Sequence, residues 1–219
     1  NEELKMMVLY EDQKKKNLSL RNYVLTKAGE KPKARLKGSF LILVPENAKT
    51  GLIKIWNYFG TVDIKNVNCP IELKLEFSNL TMEAFEAQAA VEMKYGEGVV
   101  YNCSGNTELK SDRANVEITH HRGSVVLNAV YSEIDVIHPE DIESLIVKAK
   151  KSELFLDIPM AVGPGYAITT TNTELKALAG PELEGKIDEG KVKLSYKPKQ
   201  SAGYAKIEME TGKLNYILK

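Results

Sequence analysis

The alternation of apolar and polar residues in this chain repeats with itself every 18 residues between positions 51 and 177. The phrase Ile53-Lys54-Ile55-Trp56-Asn57-Tyr58-Phe59-Gly60-Thr61-Val62-Asp63-Ile64 returns as Ile71 to Met82. Later copies run through Val91 to Val100, Leu109 to Ile118 and Val125 to Val136, and then drift to spacings of 20 and 21. Each copy holds two period-two runs, the signature of half-buried strands. One small residue separates the runs: Gly60, Ser78, Gly96, Ala114, Ser132, Ser152 and Thr173. It predicts a tight corner whose backbone angles favour glycine.

Neither run can bury its apolar side alone, so successive copies are expected to stack in parallel at about 4.8 Å. The columns this creates are consistent. Ile55, Leu73, Val91, Leu109, Leu127, Val147 and Ile168 are all apolar, as are Ile64, Met82, Val100, Ile118, Val136, Leu156 and Ala177. Thr61, Asn79, Glu97, Asn115, Glu133, Glu153 and Glu174 are all polar. The predicted fold is all-β: a single-stranded parallel β-helix, or β-solenoid, with rungs of about 18 residues over 46–219. Its expected hand is right. A left-handed hexapeptide helix of the acyltransferase kind is excluded, because counting by sixes from Ile55 reaches polar Thr61, Asn79 and Glu97.

Three stretches break the period. Residues 1–45 read as an N-terminal β cap, continuous with the solenoid and covering its first sheet edge. Its strands are expected at Leu4–Tyr10, Leu18–Leu25 and Phe40–Pro45, with Glu11–Lys16 as a turn. Segments 157–165 and 180–203 read as loops by their Gly and Pro content, the second holding a strand at Lys191–Tyr196. The pattern then resumes at Ala205–Tyr216 as a last rung.

Charge and composition narrow the function. Thirty Lys and Arg balance 30 Asp and Glu, which argues against a nucleic-acid or membrane-surface partner held by bulk electrostatics. No stretch is long and apolar enough to span a membrane as a helix. A chain starting at Asn1 fits a trimmed product whose signal or lipoprotein segment has been removed. Cys69 and Cys103 fall in different columns nearly two repeats apart, beyond disulfide reach, so both are expected as free thiols.

Candidate chemistry is sparse. Lys74, Glu92 and Lys110 alternate in sign up one exposed column, and Glu76, Lys94 and Asp112 up the next, which predicts pairing between strands. His120 and His138 stack at one corner with Glu140 and Asp141 nearby, but a third histidine is missing from that column, and a polar corner ladder explains the spacing. Phe59, Phe77, Tyr95 and Tyr131, interrupted by Arg113, form an aromatic column suited to packing or to stacking against glycan rings. Asp157, Glu182, Glu184, Asp188 and Glu189 crowd the two irregular segments without the paired spacing of a glycosidase. No nucleophile elbow, zinc-protease or Cys-x-x-Cys motif is present. No catalytic residue, metal site or cofactor is therefore assigned, and the ligand-binding residues stay unassigned.

The phrases Gly51-Leu52-Ile53-Lys54-Ile55 and Phe59-Gly60-Thr61-Val62-Asp63-Ile64, with the closing Ile207-Glu208-Met209-Glu210-Thr211-Gly212-Lys213-Leu214, resemble a bacterial family of unknown function labelled as adhesins. The likeness covers about 45–216, although the corner glycine is often Ser, Ala or Thr here. It implies a β-solenoid exported to the periplasm or cell surface, and it supplies no catalytic residues. The expected function is thus a non-enzymatic extracytoplasmic binding, adhesion or envelope-sensing module whose partner is a glycan or a protein. The alternative is a glycan-active β-helix enzyme with its site on 157–165 and 180–203.

Overall fold

The computed structural model describes residues 9–12, 15–19, 52–158, 165–180, 184–188, 191–196 and 203–218. Every regular element among them is a strand. They are β1 (Leu9–Asp12), β2 (Lys15–Ser19), β3 (Ile53–Lys65), β4 (Ile71–Glu83), β5 (Ala89–Lys94), β6 (Glu97–Tyr101), β7 (Ser104–Asp112) and β8 (Asn115–Thr119). There follow β9 (Arg122–Val130), β10 (Glu133–Ile137), β11 (Ile142–Ile158), β12 (Gly165–Ala179), β13 (Glu184–Asp188), β14 (Lys191–Tyr196) and β15 (Tyr204–Leu218).

The all-β class is as expected, but the single-stranded β-solenoid of separate rungs is not what forms. The main sheet closes on itself as an eight-stranded parallel barrel with extra strands. β4 pairs with β5 through Ile71–Glu76 and with β6 through Leu80–Glu83. β11 pairs with β9 through Ile142–Lys150 and with β10 through Glu153–Asp157. One path runs β4-β5-β7-β9-β11 and the other returns β11-β10-β8-β6-β4, so the ring is complete. The physical reason lies at the corner. The small residue does not end a strand in β3, β4, β11, β12 or β15; hydrogen bonding passes through it, and β4 and β11 join what would otherwise be two separate ladders. The 18-residue register survives inside this ring, since Ile55 pairs with Leu73, Leu73 with Val91, Val91 with Leu109 and Leu109 with Leu127.

The corner also differs in its chemistry. Positive φ falls on the residue before the small one: Phe59, Phe77, Tyr95, Arg113, Tyr131, Lys151, Asn172 and Thr211. Within the small column, positive φ occurs at Gly60 and Gly212. The other members are small because space is short. A Cβ on Gly96 would lie 2.0 Å from the Ser78 carbonyl oxygen. Where serine occupies the column, its buried hydroxyl serves the bent backbone. Ser132 Oγ donates to Val130 O (3.0 Å) and accepts from Ala114 N (3.3 Å), while Ser152 Oγ donates to Lys150 O (2.9 Å) and accepts from Ser132 N (3.1 Å). A buried amide left unpaired costs on the order of 1–3 kcal/mol, so these hydroxyls stabilise the bend directly.

The core is one apolar cluster in which Leu73, Leu109, Leu127, Leu145, Val147, Ile207 and Leu214 are fully buried. The far end of the sheet is ordered differently from the chain. β15 inserts between β11 and β12, pairing in parallel with both. Ile168 therefore neighbours Ile207 rather than Val147, and the resumed pattern at 205–216 is an interior strand, not a last rung. The 180–203 segment supplies β13 and β14, which add antiparallel to β12. Lys191–Tyr196 is the strand the sequence predicts.

At the N-terminus β1 and β2 pair antiparallel from Leu9↔Ser19 to Asp12↔Lys15, so Glu11, Asp12, Lys15 and Lys16 stand in strands rather than in the expected turn. The remaining cap residues, with the strand expected at Phe40–Pro45, lie outside the described residues. No helix among the described residues is long and apolar enough to cross a membrane.

Candidate functional site

The outer face of β9, β11, β15, β12 and β14 forms a shallow concavity of about 490 Å³. Strand register builds it as two rows of the same composition. Lys148 lies opposite Glu208, Glu208 opposite Thr169, and Thr169 opposite Lys193. Two residues further along, Lys150, Glu210, Thr171 and Lys191 repeat the order. All eight line the concavity, so four lysines face two glutamates and the surface is net positive. Lysine walls stand on β11 and β14, with carboxylates and hydroxyls between them.

The charges are unevenly neutralised. Lys150 Nζ lies 3.1 Å from Glu210 Oε2, and Lys206 pairs with Glu208. Lys206 also holds the Glu208 carboxyl below its ordinary range through that hydrogen bond, with Lys148 adding to the effect. Lys191 and Lys193 on the β14 wall make no ion pair among the described residues. Elsewhere on this face charges are locally matched, though not as the sequence predicts. Glu92 pairs with Lys94 (3.7 Å) and Lys110 with Glu108 (3.1 Å) along their own strands, while Lys74 sits over the exposed Trp56 ring (5.8 Å). Pairs between residues 18 apart do form, at Lys54–Glu72, Lys65–Glu83 and Arg122–Glu140.

The opposite face carries Glu97, Glu117, Glu133 and Glu153 in exposed positions, with Asp135 partly buried among them. Asp135 lies opposite Glu117 in register. Burial, followed by Glu133 and Glu117, pushes the Asp135 carboxyl up.

The aromatic column is real and runs along one barrel corner. Phe59 stacks on Phe77 (5.1 Å) and Phe77 on Tyr95 (4.8 Å, 6° between planes). Arg113 lies over Tyr95 and Tyr131, and Lys151 closes the series by donating to Tyr131 Oη at 3.0 Å. Both faces of Phe77, Tyr95 and Tyr131 meet neighbouring rings or cations, while Phe59 at the end of the series stacks on one side and stays exposed. A glycan stacks on a ring face, so this column holds the corner together better than it binds sugar.

The histidines stack as expected, with His120 and His138 ring centroids 6.1 Å apart. Each meets a carboxylate: His120 Nδ1 lies 3.2 Å from Glu140 Oε1, and His138 Nε2 lies 3.6 Å from Asp157 Oδ2. Glu140 is also clamped by Arg122 at 2.6 and 2.9 Å. No group of three or more metal-ligating side chains occurs among the described residues. His121 turns inward, fully buried, with Nε2 3.0 Å from Thr107 Oγ1, and burial lowers its pKa to about 4. Cys69 and Cys103 are buried free thiols.

Of the acids proposed for an enzymatic site, Asp157 is buried beside His138. Glu184 and Asp188 sit at opposite ends of β13. Glu182 and Glu189 lie outside the described residues.

No family model, characterised protein or solved structure matches this chain. The concavity itself was not legible beforehand. Lys148, Lys150, Glu208 and Glu210 meet because β15 inserts beside β11, a long-range pairing that local periodicity does not encode. The clue available was the period-two spacing of Lys148/Lys150, Lys191/Lys193 and Glu208/Glu210.

Proposed function

We propose that this chain is a non-enzymatic binding module that uses the lysine-walled concavity to hold a ligand. The observation that carries the reading is the doubled Lys–Glu–Thr–Lys row, whose β14 lysines make no ion pair among the described residues, although Asp188 of β13 lies opposite Lys191 in register. Exposed charge that a fold leaves unmatched is free to meet a partner, and complementary charge speeds and orients that encounter. Export to the periplasm or cell surface, with a role in adhesion or envelope sensing, is proposed on the sequence resemblance alone.

The test is a glycan and matrix-protein binding array run beside a polysaccharide-degradation screen on the same purified chain. Retention of a ligand without appearance of shortened chains is expected. Release of shortened polysaccharide would overturn the non-enzymatic reading.

A further inference from the structure

We infer that the ligand of the concavity is an acidic polysaccharide, with its carboxylates against Lys191 and Lys193 and its hydroxyls against Glu208, Glu210, Thr169 and Thr171. This rests on the binding-module reading above and gives it a chemical class.

The two rows carry the same four-residue order, Lys, Glu, Thr, Lys. They lie about 6.7 Å apart along the strands, and each spans about 14 Å from β11 to β14. A surface that presents one set of groups twice in register suits a polymer that presents its own groups repeatedly. The lysine wall calls for anionic groups on that polymer. The floor narrows the choice. Glutamates beside the lysines repel a dense row of phosphates, yet carboxylates and threonine hydroxyls accept and donate hydrogen bonds to sugar hydroxyls. Among the described residues no aromatic side chain lines the concavity, so they offer no platform for the stacking that holds single-stranded nucleic acid. A uronic-acid polymer offers both the carboxylates and the hydroxyls, spaced along one chain.

The experiment titrates the full chain, by calorimetry at low and moderate salt, with polygalacturonate, its carboxyl-reduced neutral twin and a single-stranded DNA oligonucleotide. Two variants accompany it: K191E/K193E on the β14 wall, and K74E on the same face outside the concavity. All three side chains are exposed, and circular dichroism checks that each variant folds. Expected are binding of polygalacturonate that weakens as salt rises, at least a tenfold loss in K191E/K193E, and no change in K74E. Equal binding of the neutral twin, stronger binding of DNA, or an unaffected K191E/K193E overturns the inference. If the acidic polymer fails while a neutral glycan or protein is retained on the array, the ligand class falls and the binding module stands. If nothing binds in either assay, both fall.

Discussion

Acidification should weaken this protein through His121, and the size of the effect can be worked from its burial. The imidazole is fully enclosed in the column of Cys103 and Phe85, with Thr107 as its hydrogen-bond partner at Nε2 and none at Nδ1 among the described residues. Burial lowers its pKa from 6.5 to about 4 in the folded state. Above pH 6.5 both folded and unfolded chains carry a neutral ring, and the group adds no pH dependence. As pH falls below 6.5 the unfolded chain takes up a proton that the folded ring refuses, so stability is lost until the folded ring titrates near 4. Between pH 7 and 5 this amounts to about 2 kcal/mol, a large share of a domain's stability. The assay is urea unfolding at both pH values for the native chain and for His121→Leu. The leucine variant leaves Thr107 Oγ1 without its partner, at a cost of about 1–3 kcal/mol that is the same at either pH. Groups common to both chains, including His120 and His138, cancel in the double difference. The native chain should therefore lose about 2 kcal/mol more than the variant on going from pH 7 to 5. Parallel losses would refute the reasoning, because they would mean that the buried ring takes its proton as readily as a free one.

Three further outcomes follow from the barrel's corners and closure. Gly96→Ala should cost about 3 kcal/mol in chemical denaturation, because its Cβ would meet the Ser78 carbonyl oxygen at 2.0 Å and the backbone there cannot yield cheaply. Ala84, at φ 50°, holds a left-handed angle without being glycine, so Ala84→Gly should gain up to about 1 kcal/mol. Ala90→Gly in regular β5 should instead lose about 0.5–1 kcal/mol, and equal effects at the two sites would contradict the corner assignment. Amide exchange should find β15 as slow as β11, although β15 lies near the C-terminus, because it is hydrogen-bonded on both sides. Fast, fraying exchange over 205–216 would deny the insertion.

The sequence speaks clearly about what is local and repeated. The stacking of Ile55 on Leu73 on Val91 was legible because an inward column must stay apolar at every step. The location of Lys191–Tyr196 was legible from its own alternation. Closure was not. A small residue between two runs looks the same whether hydrogen bonding stops there or passes through, and Ser78 and Ser152 hold the ladder together with hydroxyls whose role appears only in three dimensions. Nor was the true strand order legible. Ile168 and Ile207 match the inward column equally well, so the pattern cannot tell which of them stands next to Val147.

The same distinction decides how the charge of this protein should be read. Equal numbers of acids and bases exclude a partner held by net charge, but attraction acts over a screening length of about 8–10 Å, well short of the distance around a barrel. Inserting β15 sets Glu208 and Glu210 between Lys148 and Lys150 on one side and, across β12, Lys193 and Lys191 on the other. The β11 wall is thereby partly neutralised, while Lys191 and Lys193 on the β14 wall make no ion pair among the described residues. Meanwhile Glu97, Glu117, Glu133 and Glu153 gather on the other face. A ligand near β14 meets lysine, not zero. The strand order that the pattern could not reveal is thus also what creates the local field.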